Sequence, residues 1–224
     1  MSDCAIKLQG LSTGYRSNVL VENLNLEVNR GGLLNILGPN GVGKTTLLKA
    51  LTGLNRPIKG DIFLMGQSLQ AISIPKRGKK IALVSQSEAS TFALTVLDTV
   101  LTGRAAHIGL FGKPEKRDSE IAMAMLDEMG IADLADQDMP SLSGGQKQMV
   151  RFARALAQEA PIVVLDEPTS HLDISNQIQV LKAIKRMQNR GITIVMTTHD
   201  PAHAFACGGD LLALRKGEKP IYGK

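Results

Sequence analysis

The segment GPNGVGKTT at residues 38–46 constrains the fold more than any other part of the chain. It fits the pattern G-x-x-x-x-G-K-[ST], in which a glycine-rich loop surrounds phosphate oxygens with backbone N–H groups. The apolar run LLNIL precedes it, and leucines at helical spacing follow it. A buried strand, a phosphate-binding loop and an amphipathic helix in this order predict an α/β nucleotide-binding fold.

Each residue type in this loop suits one part of a bound triphosphate. Glycines let the backbone turn inward, and the helix N-terminus adds its positive end. Lys44 is expected to reach the β and γ phosphates, the Thr45 hydroxyl to ligate Mg²⁺, and Thr46 to contact the α phosphate. A glycine-rich turn that fits the pattern by chance is the alternative. The loop residues predicted to bind nucleotide are Gly38, Pro39, Asn40, Gly41, Val42, Gly43, Lys44, Thr45 and Thr46.

Two kinds of strand pattern flank this loop. Residues 5–8 and 24–28 alternate apolar and polar side chains, and GDIFLMGQ at residues 60–67 adds a third segment, which together predict a small antiparallel sheet. Other runs are almost wholly apolar, as expected of parallel strands that are covered on both faces. These runs are LLNIL (33–37), IVVL (162–165) and ITIVM (192–196).

Helical patterns lie between the strands. Leu47, Leu48, Leu51 and Leu54 predict a helix after the phosphate loop, with Gly53 and Pro57 near its end. Ile178, Leu181, Ile184 and Met187 predict another helix, which stops at Gly191. Two more apolar faces precede glycines in the middle of the chain. They are Val96, Leu97, Val100 and Leu101 before Gly103, and Ile121, Met125, Leu126 and Met129 before Gly130.

These patterns predict one domain over residues 1–224 in three parts. The first part, residues 1–86, holds the antiparallel strands and the phosphate loop. Residues from about 87 to 156 form a helix-rich insert, and residues 157–224 continue the core.

Two carboxylates follow the apolar run IVVL. Asp166 and Glu167 are expected at the carboxyl edge of the parallel sheet, where the phosphate loop also lies. Asp166 could hold Mg²⁺ through water, and Glu167 could polarise the water that attacks the γ-phosphate. An acidic strand end alone is often only a helix cap, but the upstream loop favours the catalytic interpretation.

Two further polar residues follow apolar runs. His199 ends the run ITIVMTT, where an imidazole can donate to the γ-phosphate and sense its loss, although a lone histidine is usually structural. Gln86 follows IALV and offers an amide to the metal and the attacking water. A surface glutamine is the alternative.

A second glycine-rich segment, LSGGQ, opens a helix at residues 142–146. Ser143, Gly144 and Gly145 would present a hydroxyl and backbone N–H groups at the positive end of that helix, which suits an anion. A capped helix start without any ligand explains the same residues equally well. The apolar face of the helix is Met149, Phe152, Ala153, Leu156 and Ala157.

In order and spacing, these motifs resemble the ATP-binding cassette (ABC) ATPase family over essentially the whole chain. The resemblance rests on GPNGVGKTT, Gln86, LSGGQ, IVVLDE, SHLD and His199. It implies a P-loop NTPase (RecA-like) core with a mainly parallel sheet, an antiparallel β subdomain and an inserted α-helical subdomain. It also implies that the chain hydrolyses ATP and that its cofactors are ATP and Mg²⁺.

The resemblance explains the second glycine-rich segment. In this family two copies pair head to tail, so that LSGGQ of one copy covers the γ-phosphate bound by the other. By this resemblance Ser143, Gly144, Gly145 and Gln146 contact the nucleotide of the second copy, and Asp173 of SHLD links the two sites. Gln86 would relay occupancy to the helical insert. Tyr15 matches the aromatic residue that stacks on adenine, with a core or surface tyrosine as the alternative.

Residues 95–118, TVLDTVLTGRAAHIGLFGKPEKRD, resemble a segment of importer ATPases for siderophore iron, haem, cobalamin, molybdate or tungstate. This implies a separate membrane permease, with a periplasmic or surface solute-binding protein, and a place on the cytoplasmic face of the membrane. A soluble scaffold or assembly ATPase and an exporter subunit remain alternatives. His171 in SHLD, Ser85 before Gln86 and the end at KPIYGK depart from the family pattern.

Composition narrows the partners. With 3% aromatic residues and no Trp, the chain lacks the stacked rings of many nucleic-acid platforms, and we expect no nucleic-acid partner. The formal net charge of +5 suits an anionic ligand but is also typical of an ordinary basic surface. Cys4 and Cys207 match no metal spacing and are expected to be thiols in a reducing compartment. No apolar run approaches the length of a membrane span, so any membrane role is expected to depend on a partner.

Overall fold

The computed structural model describes residues 3–15, 18–86, 94–109 and 112–223. Within them, the strands and helices predicted from the sequence follow one another in the predicted order, together with further short elements. The strands are β1 (Cys4–Tyr15), β2 (Asn18–Asn29), β3 (Leu33–Leu37), β4 (Lys59–Leu64), β5 (Gln67–Ser68), β6 (Ile81–Val84), β7 (Ile162–Leu165), β8 (Thr193–Thr198), β9 (Asp210–Ala213) and β10 (Ile221–Gly223). The helices are α1 (Lys44–Leu51), α2 (Ile74–Gly78), α3 (Val96–Leu101), α4 (Ala105–Ile108), α5 (Lys116–Met129), α6 (Gly144–Ala157), α7 (Ile174–Asn189) and α8 (Pro201–Cys207). Short 3-10 turns lie at Leu69–Ala71, Thr102–Arg104, Ala132–Leu134 and Met139–Ser141.

The strands form two sheets of different kind. One has the order β2-β1-β4-β5 and is antiparallel throughout. The other has the order β10-β9-β3-β8-β7-β6, in which every neighbouring pair is parallel except β10 with β9. The α/β fold with a mainly parallel sheet and a separate antiparallel sheet is therefore confirmed. The strands β9 and β10 were not predicted.

The parallel sheet is covered on both faces, which explains its continuous apolar runs. All four side chains of β7 are fully buried, and they alternate between two cores. Ile162 and Val164 pack with α1 and the antiparallel sheet, while Val163 and Leu165 pack with the helices of the opposite face. Burying one such side chain contributes about 1.5–3 kcal/mol. A polar residue in β7 would therefore be costly on either face.

The helical insert packs on that second face. Val100 of α3, Leu126 of α5 and Phe152 of α6 are fully buried in one core with β7 and β8. Helices occupy much of residues 94–109 and 112–156, while the first seven predicted residues of the insert, 87–93, lie outside the described part of the chain. The bounds of the insert stay a prediction.

Two apolar residues of the predicted helical patterns do not lie in the core. Helix α1 ends at Leu51, and because Gly53 turns the backbone with a φ of 71°, Leu54 is left 64% exposed. Ile178 is 47% exposed, because α7 turns a different side to the core. The buried residues of α7 are Val180, Ala183, Ile184 and Met187.

No helix in the described residues is both long and apolar enough to cross a bilayer.

Candidate functional site

The phosphate loop connects β3 to α1 through backbone conformations that favour glycine. Gly41 and Gly43 have φ values of 79° and 111°, in the left-handed half of conformational space. A Cβ atom on Gly38 would lie 2.6 Å from the carbonyl oxygen of Leu214. Gly43 caps α1 without a side-chain hydrogen bond, so the first N–H groups of the helix have no side-chain acceptor at the cap. The loop therefore fits a phosphate group as the acceptor.

A cleft of about 350 Å³ opens over this loop. Except for Leu20, every residue that lines it is one of those predicted to bind nucleotide or metal or to act in catalysis. The lining residues are Tyr15, Leu20, Asn40, Gly41, Gly43, Lys44, Thr45, Thr46, Gln86 and Glu167. The structure thus brings the phosphate loop, the end of β1, the end of β6 and the end of β7 to one place.

Lys44 lies at the base of the cleft with only 5% of its surface exposed. Its ammonium group donates to the carbonyl oxygens of Gly38, at 2.6 Å, and Pro39, at 3.2 Å. The same Nζ lies 3.0 Å from Oε1 of Glu167. The loop therefore aims one well-held cation at the cleft, beside the carboxylate predicted to act in hydrolysis.

Glu167 has an unusual backbone conformation. Its φ of 47° lies in the left-handed region, which costs a non-glycine residue about 1–3 kcal/mol. Hydrogen bonds hold this conformation on both sides: its N–H donates to Oγ1 of Thr197 at 2.8 Å, and its carbonyl oxygen accepts from the N–H of Ser170 at 3.1 Å. The carboxylate of Glu167 is consequently held in a set direction.

Asp166 is buried behind Glu167 and does not itself line the cleft. Its Oδ1 accepts a hydrogen bond from Oγ1 of Thr197 at 2.7 Å. Thr197 thus contacts both acidic residues from the neighbouring strand β8, which aligns the ends of β7 and β8.

The residues present fit Mg²⁺ better than a metal that needs a full set of protein ligands. Among the described residues, no group of three or more His, Cys, Asp or Glu side chains could hold a metal. Thr45 and Gln86 line the cleft and offer neutral oxygens. Asp166 directly precedes Glu167, which also lines the cleft. Mg²⁺ keeps water and phosphate oxygens among its ligands, so it binds next to a phosphate site that supplies only a few protein oxygens.

His199 and Gln86 contact different residues of the turn that carries Glu167. Nδ1 of His199 is 3.3 Å from Oε2 of Glu167, and the imidazole is largely exposed. Nε2 of Gln86 donates to Oγ of Ser170 at 3.3 Å. Nη1 of Arg151 in α6 is 3.5 Å from the carbonyl oxygen of Gln86, which connects the cleft with the helical insert.

The second glycine-rich segment forms a capped helix start. Oγ of Ser143 accepts from the N–H of Gln146 at 3.3 Å, and Oε1 of Gln146 accepts from the N–H of Ser143 at 2.9 Å. This reciprocal pair is a capping box, one of the two interpretations left open by the sequence. The residues of this segment do not line the cleft of their own chain. Their action on a second copy stays a prediction.

The segment containing SHLD lies against this helix start. Asp173 caps α7 and accepts from both the N–H and Nδ2 of Asn176, each at 2.8 Å. Gly145 faces Asn176 so closely that a Cβ atom on it would lie 2.0 Å from Oδ1. Gly144 has more room, with Leu172 at 3.8 Å. The two motifs predicted to reach a second copy therefore lie together, away from the cleft.

Sequence reasoning missed three residues of the site. Leu20 lines the cleft because Gly43 approaches its Cβ, which no local pattern shows. Thr197 and Ser170 hold the Glu167 turn. Hydroxyl residues at the ends of β7 and β8, next to predicted catalytic residues, were the available signal for these two.

The chain has clear relatives of known family. A sequence profile described as "ABC transporter" matches residues 21–170. The molybdate import ATP-binding protein MolC of Haemophilus influenzae is 41% identical over 214 residues, which cover 95% of this chain and 79% of MolC. The ferric enterobactin transport ATP-binding protein FepC of Escherichia coli is 37% identical over 221 residues, covering 97% of this chain and 82% of FepC.

Solved structures agree with the sequence relatives. A structure described as an inward-facing conformation of a metal-chelate type ABC transporter superposes with a TM-score of 0.89. It is 38% identical in sequence, and the match covers 100% of this chain and 84% of that one. The family predicted from the motifs is confirmed by these matches. The chain belongs to the ABC transporter family, as one of its ATP-binding, ATP-hydrolysing proteins.

Proposed function

We propose that two copies of the chain enclose two ATP molecules, each held by the phosphate loop of one copy and the LSGGQ segment of the other. One observation carries this proposal. The cleft gathers Lys44, Gln86 and Glu167, whereas Ser143 and Gly145, which suit an anion, do not line it, and Gly145 lies against Asn176. In a head-to-tail pair, the LSGGQ segment of each copy completes the cleft of the other copy.

The roles of the cleft residues follow from their positions. Lys44 binds the β and γ phosphates, and the exposed ring of Tyr15 at the rim stacks on adenine. Thr45, Gln86 and Asp166 hold Mg²⁺, which neutralises phosphate charge when bound. Glu167 orients and deprotonates the attacking water, and His199, beside Glu167, contacts the γ-phosphate.

Heterodimers with two different tags test the arrangement. One copy carries Ser143→Arg and the other Lys44→Ala. In a head-to-tail pair, the intact phosphate loop of the first copy meets the intact LSGGQ of the second, so one complete site remains. We expect this heterodimer to hydrolyse ATP and each mutant homodimer to be inactive.

The matched control contains the same two substitutions in one copy, paired with a wild-type copy. Both of its sites then lack one half, and we expect no activity. If each chain completed its own cleft, the control would be active and the first heterodimer inactive, which is the reverse result.

We further propose that the pair drives uptake through a separate membrane permease on whose cytoplasmic side it lies. The support is the set of relatives: MolC and FepC are named for molybdate import and ferric enterobactin transport, and cbiO1 of Clostridium perfringens, 30% identical, is described as part of the complex cbiONQ. The substrate class is accordingly a metal chelate or a molybdate-type oxyanion, delivered by a solute-binding protein.

Reconstitution in vesicles with the permease tests this part. We expect ATP hydrolysis to rise when a binding protein loaded with ferric siderophore or molybdate is enclosed on the opposite side. Copurification with a soluble protein instead of a many-helix membrane protein would support the scaffold alternative, and substrate movement in the opposite direction would support an exporter.

A further inference from the structure

A histidine with no role in the reaction above contacts the turn that carries Glu167. Nδ1 of His203, in α8, lies 3.0 Å from Oγ1 of Thr169. Thr169 is only 6% exposed, and the His203 side chain is 13% exposed. The contact joins two segments that are 34 residues apart in the chain. It is shielded from water, so its hydrogen bond is not easily replaced by solvent.

The surroundings define the direction of this hydrogen bond. Nε2 of His203 faces the carboxylate of Asp200, with Oδ2 at 3.7 Å. A proton on Nε2 is favoured by that negative charge, and it leaves Nδ1 of the neutral ring as an acceptor. The hydroxyl of Thr169 is then the donor. Asp200 is itself held at the N-cap of α8 by the N–H of Ala202, at 2.8 Å.

Thr169 lies two residues after Glu167, within the same tight turn. The left-handed backbone of Glu167 persists only where its surroundings hold it. Thr197 binds the N–H of Glu167, and the N–H of Ser170 binds its carbonyl oxygen. The bond from Thr169 to His203 is a third attachment, and the only one of the three that comes from α8.

We propose that His203 is a positioning residue for Glu167, acting through Thr169. His199, which lies between β8 and α8 in the chain, also lies beside the carboxylate of Glu167, at 3.3 Å. His199 thus contacts the carboxylate of Glu167, while His203 in α8 is hydrogen-bonded to the turn that carries it. The inference rests on the proposed catalytic role of Glu167.

The test compares steady-state ATP hydrolysis by Thr169→Val and His203→Leu with the wild-type protein. We expect each variant to lower kcat by about tenfold, because misplacing a reacting group by a fraction of an ångström slows the chemical step. KM for ATP should stay within about twofold, since neither residue lines the cleft. The double variant should be no slower than the single ones, because both remove the same contact. Thr169→Ser retains the hydroxyl and should restore kcat.

Thr193→Val is the matched control. Thr193 is 1% exposed in β8, at the end opposite His199, and its hydroxyl accepts the N–H of Gly31 at 3.0 Å. It should lose thermal stability to a degree similar to Thr169→Val while keeping kcat. If Thr169→Val and His203→Leu lose stability but keep kcat within about twofold of wild type, the contact is only structural and the inference is wrong.

Glu167→Gln separates this inference from the function on which it rests. Lost turnover in Glu167→Gln together with unchanged turnover in the Thr169 and His203 variants overturns the positioning role alone. Normal turnover in Glu167→Gln overturns the catalytic assignment itself. Lost turnover in Glu167→Gln and a reduced kcat in both other variants support both.

Discussion

Lys44 and Glu167 form an ion pair at the base of the cleft, with Nζ and Oε1 3.0 Å apart and side chains that are 5% and 10% exposed. Lys44 is also the residue proposed to bind the β and γ phosphates. A triphosphate and Glu167 therefore compete for one ammonium group, and their negative charges repel each other in a poorly solvated site. Under the proposed roles, the residue that prepares the attacking water should therefore also weaken nucleotide binding.

Glu167→Gln should consequently raise the affinity for ATP while it abolishes turnover. The amide keeps the size of the side chain but removes the charge that opposes the phosphates. We expect the Kd of a fluorescent ATP analogue, measured at equilibrium, to fall by about tenfold, or about 1.4 kcal/mol. Glu27→Gln is the control, because Glu27 pairs with Lys7 on the exposed antiparallel sheet and should leave the Kd unchanged. A weaker affinity in Glu167→Gln would contradict the competition.

The two glycines of LSGGQ should differ sharply in their tolerance of alanine. A Cβ atom at Gly145 would lie 2.0 Å from Oδ1 of Asn176, whose amide is held by Asp173, so Gly145→Ala should destabilise the protein by about 1–3 kcal/mol. Gly144→Ala meets only Leu172 at 3.8 Å and adds a better helix former, so its stability should be equal or higher.

Urea unfolding followed by circular dichroism measures both alanine variants. Asn176→Ala in the Gly145→Ala background removes the atoms that clash and should recover part of the loss. Equal stabilities of Gly144→Ala and Gly145→Ala would show that Asn176 moves aside without cost, against the packing described here.

The sequence predicts the cleft well because its motifs are local. The glycine-rich loop follows a buried strand directly, and Asp166 and Glu167 follow the next one, so chain order and the geometry of parallel sheets are enough to bring them together. A capped helix start at LSGGQ was one of its two interpretations for the same reason. The contacts that these side chains make with distant segments do not follow from local motifs.

Contacts between distant segments could not be predicted. The pairs of Gly145 with Asn176 and of Thr169 with His203 depend on how α6, α7 and α8 are packed, which no periodicity expresses. The same holds for Ile178, which fits the helical period of α7 but lies on the side that the core does not cover. The strands β9 and β10 were missed because at most one side chain in each is buried, so neither carries the continuous apolar run of a covered strand such as β7.

Asp118 should make the free energy of unfolding depend on pH in the acidic range. The backbone N–H of Glu115 and then the guanidinium of Arg104, each 3.0 Å from a carboxylate oxygen, hold the pKa of Asp118 below its usual value. A lowered pKa in the folded state contributes stability that is full well above the unfolded pKa of about 3.9 and is lost as pH falls through the folded value. Asp118→Asn should therefore unfold at lower urea concentration at neutral pH.

The gap between wild type and Asp118→Asn should narrow once the pH falls below about 4, because protonation then removes the same charge from the wild-type carboxyl group. Asp61→Asn is the control for loss of an exposed carboxylate, because Asp61 is exposed in β4. A gap between Asp118→Asn and wild type that stayed constant down to about pH 3 would mean that packing, and not charge, is what Asp118 supplies.

The alkylation rate of the Cys207 thiol should show whether α8 detaches from the rest of the fold. Burial raises the pKa of its thiol to about 11, and the residue is 5% exposed. A pKa raised in the folded state means that the neutral thiol is favoured by folding, and that this stability is lost as pH rises above the unfolded value of about 8.5. In a Cys4→Ser variant, alkylation of Cys207 by a maleimide at about pH 8 should be at least tenfold slower than in urea, because the thiolate is scarce and shielded. Alkylation as fast in the folded as in the unfolded protein would mean that α8 detaches readily, and the hydrogen bond from Thr169 to His203 on the same helix could not then hold the Glu167 turn.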